Sequence, residues 1–257
     1  MPLTVIGSGT LHPSPVRASA SHLVETGVET VLLDVGPGSV HGMAKYDRPW
    51  WSVTHVVLTH FHTDHFGDLA HLLFALRWAT PEGRVAPLHI LGPPGLNDRI
   101  DGLVKAHGSF IRDQAFPIEY RELKREDSWR SSAGTRVDFH PTPHTEESVA
   151  VRLTTNRGVV GYTGDTGPAQ GVGTFLSGVD LLVCECGFED PAPADNHLSP
   201  ESVATLASEA APGLLILTHV YPPLRPGRAP ALVQRAGYGG PVVAAEDGVT
   251  FRMPEDP

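Results

Sequence analysis

The stretch VVLTHFHTDHFGDL passes directly from an apolar, β-branched run into His60, His62, Asp64 and His65. A strand buried on both faces reads as such a run, and side chains at i and i+2 of an extended segment share a face. His60, His62 and Asp64 can therefore point together, and His65 joins them if the chain turns at Asp64. Four side chains of metal-binding type within six positions at the end of a buried strand point to a metal site rather than to a solvated loop that happens to be rich in histidine. The chain has only two cysteines, Cys184 and Cys186, too close together to staple a fold. Imidazoles and carboxylates must then supply the ligands, and the absence of a disulfide framework fits a reducing compartment.

Short apolar runs bounded by Gly, Pro, Asn and Asp recur at 3–6, 22–26, 30–35, 55–59, 88–91, 135–140, 149–154, 159–163, 180–185, 214–218 and 242–245, and each reads as a strand. Helical spacing is found at 68–79, 95–107 and 199–210, the last opening with Ser199 as N-cap and Pro200 at the first helical position. With no repeat, low-complexity tract or linker, residues 1–257 read as a single α/β domain. Strands outnumber helices too strongly for a simple alternating parallel sheet, which favours two sheets flanked by helices.

Several stretches resemble the metallo-β-lactamase superfamily. THFHTDH is similar to its HxHxDH motif, and PTPHTEES, GYTGDTG and LILTHVYP supply His144, Asp165 and His219 in the family's order. The resemblance implies an αββα sandwich holding two divalent metal ions. His60, His62 and His144 would bind the first, Asp64, His65 and His219 the second, and Asp165 would touch both. Imidazole and carboxylate ligands favour Zn²⁺, with Mn²⁺ or Fe as alternatives. Asp64 would also orient a water or hydroxide held between the metals.

VIGSGTLHPSP, LLDVGPGS, LGPPGL and LLVCECGFED…NHLSPES further resemble the ribonuclease Z-like branch. By that resemblance Glu185 stands for a catalytic Glu, and His197 for a His that helps the leaving oxygen depart, although Cys184, Cys186 and Gly187 replace the usual neighbours of the Glu. The cysteines themselves read as small buried hydrophobes. Trp50, Trp51, Phe66 and Trp78 read as core residues, one or two of which could line an apolar substrate pocket.

The tRNA-processing members carry a long arm between the third-motif His and the bridging Asp. Here the interval from His144 to Asp165 is 21 residues, enough for two strands and a turn. The net charge is −10, without a basic run, which argues against a large nucleic acid. The expected function is hydrolysis of a small or cyclic phosphodiester. A lactonase or thioesterase, a tRNA 3′ processing endonuclease and a non-catalytic metal-binding protein are the alternatives. The expected partner is a small-molecule ester, a homodimer is left open, and no apolar run approaches the roughly 20 residues of a membrane span. The N-terminus shows no secretory signal, so a cytoplasmic location is expected.

Overall fold

The computed structural model describes residues 1–80, 83–124 and 127–253. One sheet is built from β1 (Pro2–Gly7), β2 (Ser21–Glu25), β3 (Thr30–Leu33), β4 (His55–Val57), β5 (Leu88–Gly92) and β6 (Ile118–Glu122). The other contains β7 (Ser128–Arg130), β8 (Arg136–Pro141), β9 (Val149–Thr155), β10 (Gly158–Tyr162), β11 (Leu181–Glu185), β12 (Leu214–Thr218) and β13 (Val242–Ala244). The closing strand β14 (Thr250–Arg252) returns to the first sheet, giving the orders β14-β1-β2-β3-β4-β5-β6 and β13-β12-β11-β10-β9-β8-β7. The strands from β3 to β6 run parallel, as do those from β10 to β13. This is the expected sandwich of two mixed sheets.

Alternation along the central strands builds three apolar layers. Val31, Leu33, Val57 and Leu91 meet Val160, Leu181, Val183 and Ile216 between the sheets. Leu32, Val56 and Ile90 face outward against α1 (Ser39–Lys45), α3 (Leu69–Trp78) and α4 (Leu96–His107). Leu182, Cys184, Leu215 and Leu217 face the opposite way, against α5 (Val172–Phe175), α6 (Pro200–Ala210) and α7 (Ala229–Arg235). Residues on both faces are thus covered, which is why these strands read as continuous apolar runs. The two cysteines are buried as expected, and they are free thiols.

The three expected helices are present as α3, α4 and α6. At the start of α6 the Ser202 hydroxyl accepts the Ser199 N–H (2.8 Å). The single-turn α2 (Thr63–Phe66), together with α1, α5 and α7, was not legible, because seven residues or fewer show too little periodicity. Strands β6, β7 and β14 were missed for a different reason. They are edge or near-edge strands with polar, partly exposed residues instead of a buried run. Trp51 and Trp78 correct the core reading: they are 46% and 56% exposed. Trp50 and Phe66 are half-buried against the layer between the first sheet and its helices. Among the described residues no helix is long and apolar enough to cross a membrane.

At the start of β4 and β5, His55 stacks on His89 with ring centroids 5.0 Å apart, and its Nε2 lies 3.8 Å from Glu29 Oε1. Burial, only partly offset by Glu29 and reinforced by His89 and Arg84, lowers the His55 pKa to about 4. The folded protein therefore keeps His55 neutral where the unfolded chain would protonate it near pH 6.5. Its contribution to stability is full above about pH 6.5 and is lost as the pH falls toward 4. His55→Gln should accordingly lose less unfolding free energy than wild type between pH 7 and pH 5 in urea titrations, and an equal loss would contradict this account.

Gly36, just beyond β3, approaches the metal-loop backbone so closely that a Cβ there would lie 2.0 Å from the Asp64 carbonyl oxygen. Gly36→Ala must push that loop away, at about 1–3 kcal/mol, and the thermal midpoint should fall by several degrees. An unchanged midpoint would show that the loop yields freely.

Candidate metal centre

Because the central strands are parallel, their C-terminal ends open on one edge of the sandwich, where side chains from separate strands can converge. His60, His62, Asp64 and His65 follow β4, His144 follows β8, Asp165 follows β10, and His219 follows β12. The chain leaves β4 earlier than the apolar run suggested, because the Thr59 N–H donates to the Asp34 carboxylate (2.8 Å) instead of continuing the ladder. One turn of α2 then swings His65 back beside His60, with ring centroids 4.2 Å apart.

The seven residues form two groups. Ligand-type atoms of His60, His62, His144 and Asp165 lie within 4.8 Å of one another, as do those of Asp64, His65 and His219. Asp165 faces both. Its Oδ2 is 3.6 Å from His144 Nε2 and 3.9 Å from His60 Nε2. Its Oδ1 is 3.2 Å from His65 Nε2 and 3.5 Å from His219 Nε2. Asp64 Oδ2 is 3.3 Å from His219 Nε2.

Hydrogen bonds behind the cluster fix which ring nitrogens face inward. His65 Nδ1 donates to Asp34 Oδ2 (2.7 Å) and His144 Nδ1 donates to the Asn196 carbonyl (2.9 Å). The Thr59 hydroxyl donates to Asp34 Oδ2 (2.8 Å), so its oxygen accepts from His60 Nδ1 (3.1 Å). In each ring the other nitrogen is left with its lone pair aimed at the centre, the arrangement that a second hydrogen-bonded layer gives to metal ligands. His60 Nε2, Asp165 Oδ1 and His219 Nδ1 are buried without an aligned hydrogen-bond partner among the described residues. His65 Nε2 and His219 Nε2 stand 3.3 Å apart, and His144 Nε2 and His62 Nδ1 stand 3.0 Å apart. Nitrogens converging in this way, with carboxylate oxygens between them and no protein donor in place, are matched by a divalent cation.

The electrostatics agree. Burial would raise the Asp165 pKa, but the imidazoles of His219, His65 and His60 outweigh it and hold the carboxyl well below its ordinary range. Burial also depresses His60, beside His65, well below the usual imidazole value. The centre therefore presents an ionised Asp165 and a neutral His60, forms that bind metal, whereas at His65 the carboxylates of Asp165 and Asp34 outweigh burial and hold the imidazole well above its usual value, so that a cation there would displace a proton.

Glu185, at the end of β11, is fully buried. Its Oε1 accepts from the Thr166 N–H (2.7 Å) and from His197 Nδ1 (2.9 Å), and its Oε2 accepts from the Leu198 N–H (3.1 Å). His197 is thereby turned so that it offers an atom within 4.8 Å of ligand-type atoms of Asp165 and His219. Burial, chiefly, lowers its pKa. Phe188 and Tyr221, stacked with centroids 4.9 Å apart, flank its ring.

Sequence reasoning missed Asp34, Thr59, Tyr162 and Asn196, which orient the cluster without belonging to it. All four lie inside stretches that resemble the family, LLDVGPGS, THFHTDH, GYTGDTG and NHLSPES, but no local signal gives them that role. Trp50, Trp51, Phe66 and Trp78 line neither large cavity beside the centre; Phe61, between two of the histidines, lines one of them.

The chain matches the Beta-lactamase superfamily domain over residues 29–220. It is 31% identical over 251 residues to a ribonuclease Z of Mycolicibacterium gilvum, covering 88% of this chain and 86% of the relative. A ribonuclease Z of Mycobacterium bovis is 29% identical over 248 residues, with 88% of each chain covered. Among solved structures, the metallo-β-lactamase fold protein YhfI of Bacillus subtilis superposes with a TM-score of 0.83 at 23% identity, covering 97% of this chain and 98% of its own. The short form of human tRNase Z gives 0.80 at 24%, covering 99% and 100%. A diphosphatase of the PhnP family gives 0.74 at 17%, covering 99% and 98%. The chain belongs to the β-lactamase superfamily, as a metal-dependent hydrolase with ribonuclease Z relatives.

Proposed function

We propose that the chain is a dinuclear phosphodiesterase acting on small or cyclic phosphodiesters. The observation that carries this reading is Asp165, which turns one carboxylate oxygen to each of two ligand groups. His60, His62 and His144 would hold one divalent ion, Asp64, His65 and His219 the other, and Asp165 both, with Zn²⁺ the best match to this donor set. Bound there, two such ions would supply an activated water and polarise a phosphoryl oxygen.

The chain's own residues supply the rest. Asp64, beside His219, accepts a hydrogen bond from the attacking water and orients it. Glu185 accepts from His197 Nδ1 and so turns the opposite ring nitrogen toward the reacting group. There His197, after taking up a proton from solvent on that nitrogen, gives it to the departing oxygen.

The relatives named ribonuclease Z and tRNase Z make RNA the competing substrate. Against it stand the acidic chain and the interval between His144 and Asp165, which β9, a two-residue turn and β10 occupy without room for an arm. Metal-reconstituted protein should hydrolyse bis(p-nitrophenyl) phosphate far better than lactones or thioesters, and should not trim a pre-tRNA 3′ trailer at physiological salt. Efficient trimming, or a preference for carbon esters, would refute the proposal.

Elemental analysis of that protein should give two ions per chain, falling to one or none in Asp165→Ala. Retention of two tightly held ions by the variant would exclude a shared ligand. His197→Ala should lose modest activity on bis(p-nitrophenyl) phosphate, whose leaving group departs unaided, and on the order of 10²-fold or more on an alkyl or ribose leaving group. Equal losses on both would make His197 a binding or structural residue, and loss of metal would make it a ligand.

A further inference from the structure

A cavity of about 680 Å³ opens beside the metal centre, reaching Thr63 and Asp64, and nothing in the chemistry above uses it. One wall is the loop after β1, the other is α1. The loop is built rather than loose. Gly9 N–H donates to the Ala18 carbonyl (2.8 Å), closing its neck. Asp247 clamps both ends, its Oδ1 accepting from the Ser8 N–H (2.9 Å) and hydroxyl (2.6 Å) and its Oδ2 from the Ala18 N–H (2.7 Å). The Ser8 carbonyl in turn accepts the His219 N–H (3.2 Å), so the loop's base rests on the metal centre itself.

The cavity wall carries His12 and Arg17 from the loop and His41 and Lys45 from α1. Four basic side chains around one space are notable in a chain whose net charge is −10. Among the described residues neither Arg17 nor Lys45 forms an ion pair. Arg17 uses only Nη1, donating to the Ser8 hydroxyl (2.7 Å) and the Ala245 carbonyl (3.1 Å), which leaves Nε and Nη2 of its fork for a ligand. Lys45 Nζ lies 5.0 Å from the centre of the Tyr46 ring, another lining residue. Of the two carboxylates present, Asp247 is consumed by its clamp and Asp64 belongs to the metal centre.

We infer that this cavity is the subsite for the part of the substrate beyond the scissile diester, and that this part carries a phosphomonoester. The inference rests on the phosphodiesterase reading. A neutral group would leave the two permanent charges of Arg17 and Lys45 without a counterpart, and a carboxylate would answer only one. A phosphomonoester brings close to two negative charges at neutral pH and three acceptor oxygens, matching two fixed cations with two imidazoles beside them. The volume suits a mononucleotide-sized group.

Two substrates with the same scissile bond and the same leaving group test this: thymidine 5′-(p-nitrophenyl phosphate) and its 3′-phosphorylated counterpart. Metal-reconstituted wild type should favour the phosphorylated compound in kcat/KM by about tenfold or more, equivalent to about 1.4 kcal/mol. That ratio should shrink toward one in Lys45→Glu and His41→Gln, and in wild type at about 0.5 M salt, where screening weakens exposed charges. Both side chains are exposed on a short helix, and an unchanged thermal midpoint checks that the variants fold. Calorimetry with thymidine 3′,5′-bisphosphate against the 5′-monophosphate gives a readout independent of turnover. If neither ester is hydrolysed but the bisphosphate binds more tightly in a Lys45-dependent way, the phosphodiesterase reading falls and the anionic subsite stands. Equal kcat/KM and equal affinity in wild type, or a preference untouched by both substitutions, overturns the subsite.

Discussion

The Asp34 carboxylate lies between the two sheets with no exposed surface and accepts four hydrogen bonds. They come from the Thr59 N–H (2.8 Å) and hydroxyl (2.8 Å), from His65 Nδ1 (2.7 Å) and from the Tyr162 hydroxyl (2.9 Å). A buried charge is tolerated only when its lone pairs are filled, and here the filling also builds the site. Thr59 belongs to the loop that leaves the first sheet, and Tyr162 belongs to the second sheet. One carboxylate therefore joins the two layers, ends β4 at the right residue and fixes the ring nitrogen that His65 turns inward. Through the Thr59 hydroxyl it also sets His60.

Backbone strain marks the same places. Asp34 and His219 both have positive φ, 56° and 54°, a conformation that side chains other than Gly rarely adopt. Such residues persist where the surroundings over-determine them. Asp34 is held by its four hydrogen bonds, and His219 by its N–H to the Ser8 carbonyl. Gly164, just before Asp165, completes the set: its φ is +56° and a Cβ would come within 2.8 Å of Thr59 Cβ. Two of the four strand ends that bring the cluster together, those of β10 and β12, turn through such a residue, and β3, beside β4, does so at Asp34.

The electrostatic design is local. The chain is acidic, yet its most deeply buried carboxylates face imidazoles, and the cavity beside them is lined with cations. Glu185 shows the conflict that burial creates. Its pKa is pushed well above the carboxylate range by burial and by the neighbouring Asp165, against the opposing pull of His219 and two backbone N–H groups. Cations in the adjacent site would relieve that repulsion, since a bound metal is the largest local charge and reverses the nearby pKa order. The stacked rings of Phe188 and Tyr221 limit water around His197, which strengthens every interaction in that corner.

The sandwich and the start of the His and Asp cluster were legible in the sequence because both are written locally. Strands covered on two faces must be continuous apolar runs, and ligands placed at their ends appear as punctuation directly after them. His60, His62, Asp64 and His65 could be named from such positions, and His144, Asp165 and His219 through the family resemblance of the stretches that hold them. Glu185 and His197 could be named only through resemblance, since nothing in CECGFED or NHLSPES states that the two side chains meet. The edge strands β6, β7 and β14 lacked a buried face, and the four shortest helices lacked the length, to leave a periodic signal. Asp34, Thr59, Tyr162 and Asn196 showed nothing of their role, because it lies in which partner each one reaches across the fold. The cavity cations belong with them. His12 and Arg17 are separated in sequence from His41 and Lys45, and no composition or spacing rule predicts that they share a space. Short-range pattern determined which residues are buried and which can bind metal; long-range packing alone decided which nitrogen faces the centre and which charges stand beside it, because those are properties of distances between segments that the chain brings together only when folded.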